Sequence, residues 1–183
     1  MFPATRAAAP FIERADGAVI YLTRLFDCLE AAQAVKPARI LSLLDPGDPF
    51  PEFPGISPSH HLKIEVDDIA DLSAPILPPS PSMIRRIIAF GRVSASQSLL
   101  VHCHAGVSRS TAAILTILAD RHPSRLEEIC DLMATRAPQA DPNRVMISLG
   151  DAELGLNGRL SQAAAKIRPT RRSQAGWVEL SLR

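Results

Sequence analysis

Aromatic residues are scarce in this chain of 183 residues: one Trp, one Tyr and six Phe amount to 4%. A core must therefore be aliphatic, built from Leu, Ile, Val and Ala. Cysteine is confined to Cys28, Cys103 and Cys130, an odd set without paired spacing, which speaks against a disulfide framework. No run of about 18 apolar residues occurs, and Met1 to Asp16 has no sustained apolar stretch, so neither a membrane span nor a secretory leader is expected. A formal net charge of +1 gives no mandate for nucleic acid or a membrane surface. These absences lead to the expectation of a cytoplasmic monomer in a reducing compartment, with no nucleic-acid and no membrane partner.

What is present suits one α/β domain: 46% of residues are hydrophobic and 21% charged, and the length allows a real core but not two domains. We expect a flexible Ala/Pro-rich segment at 1–15, a single domain at 16–165 and a basic, solvated tail at 166–183, which Trp177 could pin back onto the domain. Short apolar runs at 18–22 and 38–44, the alternating stretch at 60–66 and the run at 99–102 read as strands. Helical spacing marks 25–34, 83–93, 110–119, 124–135 and 143–154, with a last helix at 158–167. Ser80-Pro81 opens the second of these, and Ser124 with Glu127 reads as a capping box for the fourth. Residues 110–119 are apolar nearly all round, the mark of a central buried helix. Cys28 and Cys130 lie on helical stripes and read as small core residues. The order predicts a mostly parallel central sheet flanked by helices, with Cys103 at the carboxyl end of a central strand, where open α/β sheets place ligands.

That placement matters because of what surrounds the cysteine. Leu99 to His102 runs into Cys103, then the small-residue loop His104-Ala105-Gly106-Val107-Ser108, then Arg109 and Ser110 at the head of the apolar helix. A loop of this length can turn its backbone N–H groups inward as an anion nest at a helix N-terminus. Gly106 permits positive φ there, and the Arg109 fork can grip two phosphate oxygens at once. A thiolate in that cradle is a nucleophile. The stretch reads as a phosphate-binding loop with a built-in nucleophile.

His102-Cys103-x-x-Gly106-x-x-Arg109-Ser110 resembles the signature of the cysteine-dependent protein tyrosine and dual-specificity phosphatases. More loosely, the chain from about Arg39 to Gly158 is similar to bacterial tyrosine phosphatases of that superfamily. The resemblance implies the phosphotyrosine-phosphatase sandwich fold and hydrolysis of phosphate monoesters, foremost protein phosphotyrosine, through a phosphocysteine intermediate without cofactor or metal. It implies as partner a phosphorylated protein or small phosphomonoester. Cys103 is then the nucleophile, and the backbone from His104 through Ala105, Gly106, Val107 and Ser108 to Arg109 holds the phosphate. Ser110 helps the sulfur leave, and His102 fixes the loop and favours the thiolate. The superfamily keeps an acidic general acid after the preceding strand. Asp67, Asp68 and Asp71 are available, and the usual offset favours Asp68, 35 positions before Cys103, with Asp67 next. The pattern Pro138-x-Ala140-x-Pro142-Asn143 reads as an inter-helix loop that supports the phosphate loop from beneath.

Other readings use the same residues less fully. A His–Cys protease dyad leaves Gly106 and Arg109 without a task. A zinc site would need His102, Cys103 and His104 to converge, whereas extended neighbours point to opposite faces. A rhodanese-like sulfurtransferase shares the cysteine and short anion loop but has no use for the upstream aspartate or Ser110. A non-catalytic phosphate-binding module would need Arg109 and not Cys103.

Overall fold

The computed structural model describes residues 19–68, 77–92, 97–172 and 174–182. Its centre is a five-stranded sheet in the order β3-β2-β4-β1-β5. The strands are β1 (Ile20–Arg24), β2 (Arg39–Leu44), β3 (His61–Glu65), β4 (Leu99–Cys103) and β5 (Trp177–Leu180). β4 lies parallel between β1 and β2, and β3 adds to β2 in parallel. Among the described residues six helices surround the sheet: α1 (Cys28–Val35), α2 (Pro81–Gly91), α3 (Arg109–Arg121), α4 (Leu126–Arg136), α5 (Arg144–Glu153) and α6 (Arg159–Ala164).

Period-two alternation divides the strand residues between two layers. Ile20, Leu22, Leu41, Leu43, Leu99, Val101 and Cys103 join the large core with α2 to α6. Ile40 and Leu100 face the other way, into a smaller cluster with Cys28 and Ala31 of α1 and with Phe53. Every residue of α3 from Arg109 to Ala119 is buried, as its all-round apolar pattern requires. Burial pushes the thiols of Cys28 and Cys130 up to about 11 and about 12, which suits inert core residues.

Local signals account for several helix starts. The Ser80 hydroxyl accepts from the Met83 amide with Pro81 in the first turn of α2. Asn143 Oδ1 accepts from the Met146 amide at the head of α5. Two expectations are corrected. α4 begins at Leu126 rather than Ser124, because the Arg125 amide closes a turn onto the His122 carbonyl. Glu127 therefore does not complete a capping box and pairs with Lys166 at 2.7 Å. Nor is the basic C-terminal segment only a solvated tail, since Trp177–Leu180 pairs antiparallel with β1 as an edge strand, with Val178 and Leu180 buried. Asp27 and Thr23 hold its entry: the Gly176 amide donates to Asp27 Oδ2 at 2.8 Å, and the Thr23 hydroxyl donates to the Gly176 carbonyl at 2.9 Å.

Candidate active site

The site forms where the parallel strands end. β4 delivers Cys103, 1% exposed, to the mouth of the loop 104–108, and α3 begins immediately after it. Four of the loop carbonyls are hydrogen-bonded to surrounding segments. The Leu25 amide donates to His104 O at 3.1 Å, Gln139 Nε2 to Gly106 O at 3.3 Å, the Asp141 amide to Val107 O at 3.0 Å and the Asn143 amide to Ser108 O at 3.3 Å. Because each peptide is planar, turning its carbonyl outward turns the next N–H inward, and the loop becomes an anion nest. Gly106 is required twice over. Its φ is +68°, and a Cβ there would lie 3.1 Å from the Thr23 carbonyl oxygen. The segment 137–144 does buttress the loop from beneath, through Gln139, Asp141 and Asn143.

Arg109 is 2% exposed. One guanidinium nitrogen, Nη1, donates to Asp45 Oδ1 at 2.7 Å and to the Val66 carbonyl at 2.8 Å. Nε makes no hydrogen bond and lies 3.6 Å from Asp68 Oδ2. The Ser110 hydroxyl is 3.1 Å from the Cys103 sulfur and fully buried. The residue before α3 is Ser108, whose hydroxyl makes no cap bond and donates instead to Asp68 Oδ1 at 2.6 Å.

The two adjacent aspartates are separated by their partners. Asp68 faces the loop, accepting from Ser108 and, at 3.2 Å, from Asn143 Nδ2. Asp67 turns away: its Oδ2 accepts from the Leu77 amide at 2.5 Å, and its own amide donates to the Leu77 carbonyl at 2.9 Å. Asp71 lies outside the described residues. Asp45 and Asp48 were not singled out by the sequence, yet both reach the site. His104 Nε2 is 2.6 Å from Asp48 Oδ2 and 3.4 Å from Asp45 Oδ2. Among the described residues these three place one possible cation ligand each within 4.8 Å, although Arg109 already holds one Asp45 oxygen.

His102 precedes Cys103 in β4. Its side chain leaves the sheet on the α1 side, opposite to the thiol, and its Nε2 is 2.6 Å from the Ser42 hydroxyl, which is also 2.8 Å from His61 Nε2. Phe53 packs against both rings, with centroids 5.1 Å and 6.1 Å away. Burial, with His61 as a lesser contributor, pushes the His102 pKa down to about 3, and burial pushes His61 down to about 4. His102 also meets the Cys103 backbone, so it ties the start of the loop to Ser42 of β2. Below the unfolded value near 6.5, the unfolded chain binds protons that these folded rings refuse, so their contribution to stability is complete above that pH and shrinks as pH falls towards 4. His102 alone is expected to lower stability by about 2 kcal/mol between pH 8 and pH 5. Urea denaturation of wild type and His102→Asn at both pH values checks this: the variant is expected to lose that part of the pH dependence, and an unchanged dependence contradicts it.

No family model matches the chain. A stretch of 64 residues, 34% of this chain, is 38% identical to dual specificity protein phosphatase 12 of Mus musculus, of which the match spans only 19%. Among solved structures, DUSP15 superposes with a TM-score of 0.60 at 20% identity, covering 87% of this chain and 97% of its own. The Yvh1 phosphatase domain of Chaetomium thermophilum gives 0.53 at 22% identity, over 80% of this chain and 99% of its own. The human tyrosine phosphatase-like serine/threonine/tyrosine-interacting protein gives 0.60 at 15%, over 75% and 92%. The mouse, human and Chaetomium proteins are eukaryotic. The chain has the fold of the cysteine-dependent tyrosine and dual-specificity phosphatases, with Cys103 and the loop that leads to Arg109 at the end of its central strand.

Proposed function

We propose that this chain is a cysteine-dependent phosphatase that hydrolyses phosphate monoesters, with protein phosphotyrosine as its substrate class. The posture of Arg109 carries the reading. One nitrogen of a buried guanidinium is tied down by Asp45 and Val66, while Nε makes no hydrogen bond. Leaving a buried donor without an acceptor is costly, and a phosphoryl oxygen is the acceptor that fits beside a loop of inward amides. Cys103 is 1% exposed at the end of β4, and phosphotyrosine is the class that the resemblance of its loop to the tyrosine phosphatases suggests.

In this mechanism Cys103 Sγ attacks phosphorus. The S–P bond forms as the P–O bond to the leaving group breaks, and Asp68 gives its proton to the leaving oxygen. The inward amides from His104 to Arg109 and the Arg109 guanidinium hold charge on the three equatorial oxygens. Water then attacks the phosphocysteine, Asp68 takes its proton, and the Ser110 hydroxyl donates to the departing sulfur. Phosphate leaves and the thiolate is restored. No cofactor enters this sequence.

We further propose that the protein acts as a cytoplasmic monomer on phosphorylated proteins, without a nucleic-acid partner, as one domain whose sheet includes β5. Among the described residues no helix is long and apolar enough to cross a membrane.

Aryl-phosphate hydrolysis by wild type, Asp68→Asn and Asp67→Asn tests the acid. Asp68→Asn is expected to lose about 10²-fold in kcat together with the limb of the pH profile that reports the acid. Asp67→Asn, which disturbs only the bond to Leu77, is expected to stay within about threefold, in the range of surface changes of under 1 kcal/mol. The reverse order would transfer the role to Asp67. Activity lost with chelator, or thiocyanate formation from thiosulfate and cyanide without phosphate release, would overturn the reading.

A further inference from the structure

The mechanism uses Asp68 as its acid and leaves the other charges of the cradle's mouth unused. Asp45, Asp48 and Asp68 stand around it with side chains 46%, 37% and 37% exposed, alongside His104 at 40%. Residues 104–108 contain no lysine or arginine. The cation among these groups, Arg109, is 2% exposed and already bonded to Asp45. On the β1 side Arg24 stands opposite Cys103 in the ladder, but it is paired with Asp27 at 2.6 Å and lies over the Phe26 ring, 5.4 Å from its centroid. Phe26 itself is 87% exposed, one residue after the Leu25 amide that bonds the His104 carbonyl. The mouth therefore presents an acidic wall on the β2 side and an apolar wall with a self-neutralised ion pair on the β1 side. That an anion is meant to pass between them is indicated independently by the Arg109 Nε, buried and without a hydrogen bond.

A phosphoryl dianion entering such a mouth meets like charges, and extra anions on the substrate add to the repulsion. A positive charge beside the phosphorylated residue removes that penalty and meets Asp48 at the rim. We infer that the site selects phosphotyrosine flanked by lysine or arginine, with Asp48 as the residue that sets the preference and Phe26 as the apolar wall opposite. The inference rests on the phosphatase reading. It disfavours polyanionic phosphomonoesters such as phosphoinositides and acidic phosphopeptides.

The test compares two phosphotyrosine peptides of equal length, one with lysines and one with glutamates on both sides of the phosphorylated residue. Hydrolysis is measured with wild type and binding with Cys103→Ser, at low ionic strength. The lysine peptide is expected to be favoured by about tenfold in kcat/KM and in affinity, and added salt should narrow the gap. The ratio should fall to about threefold or less in Asp48→Asn and reverse in Asp48→Lys. A ratio is insensitive to how much protein is folded, and the reversal is an effect that mere damage would not produce. A wild-type ratio near one, a preference for the glutamate peptide, faster turnover of phosphoinositide vesicles than of either peptide, or a ratio untouched by both Asp48 variants overturns the inference while leaving the phosphatase reading in place. No hydrolysis of either peptide or of an aryl phosphate sinks the phosphatase reading, and the binding ratio then judges the mouth by itself.

Discussion

Replacing Cys103 with serine is expected to lower kcat on an aryl phosphate by about 10⁴-fold or more, the scale seen when a covalent nucleophile is removed. The substitution exchanges one small buried atom for another beside the Ser110 hydroxyl, 3.1 Å away, so folding and phosphate binding should persist. The loop amides and Arg109 do not depend on the sulfur for their geometry: their bonds run to Leu25, Gln139, Asp141, Asn143, Asp45 and Val66. The measurement is kcat together with phosphopeptide affinity on the same preparation. Lost turnover with retained binding is the expected pair. Retained turnover would mean that Cys103 is not the nucleophile, and lost binding would mean that the thiol shapes the cradle.

Arg109→Lys is expected to cost about 10³-fold in kcat while keeping the positive charge, because what is removed is the fork and not the cation. The fork does two things at once. Nη1 anchors to Asp45 and Val66, and that anchor aims the remaining edge at the cradle. An ammonium can replace one of these contacts but cannot span both. Asp45 and the Val66 carbonyl would then compete with the phosphoryl oxygens for a single point charge, so KM should rise as well. A fall in kcat of less than about tenfold, little more than 1 kcal/mol, would show that charge alone suffices and that bidentate geometry adds nothing.

Much of this was legible in the sequence because the signals are local. The 110–119 stretch could only be a central helix, and the Cys103 to Ser110 spacing could only wrap a small group. Ser80 announces its helix by accepting from the amide three residues on. The failures share the opposite property. Asp45 and Asp48 enter the site from 64 and 56 positions before Arg109 and His104, because β2 lies beside β4. Nothing near them in sequence distinguishes them from turn aspartates. Asp67 and Asp68 look alike in sequence, and only their partners, Leu77 for one and Ser108 with Asn143 for the other, tell them apart. β5 was missed because four residues of alternation inside a basic segment are too short to outweigh the surrounding charge; its place is set by Thr23 and Asp27 across the sheet edge. The side-chain partners of His102 follow from parity. The alternation that argued against a zinc site also places its ring on the face away from the thiol, where Ser42 and Phe53 lie.

The central claim, that phosphoryl transfer passes through Cys103, is tested most directly in Ser110→Ala. Removing the buried hydroxyl takes away the hydrogen bond that stabilises the departing thiolate and leaves the attack on phosphorus in place. The phosphocysteine should therefore form at its usual rate and break down slowly. Rapid mixing of this variant with an aryl phosphate is expected to give a burst of aryl alcohol equal to the enzyme present. Acid-quenched protein should then carry one phosphoryl group on the peptide containing Cys103. Linear release with no burst and no adduct on that peptide, from enzyme that still turns over, would contradict the account.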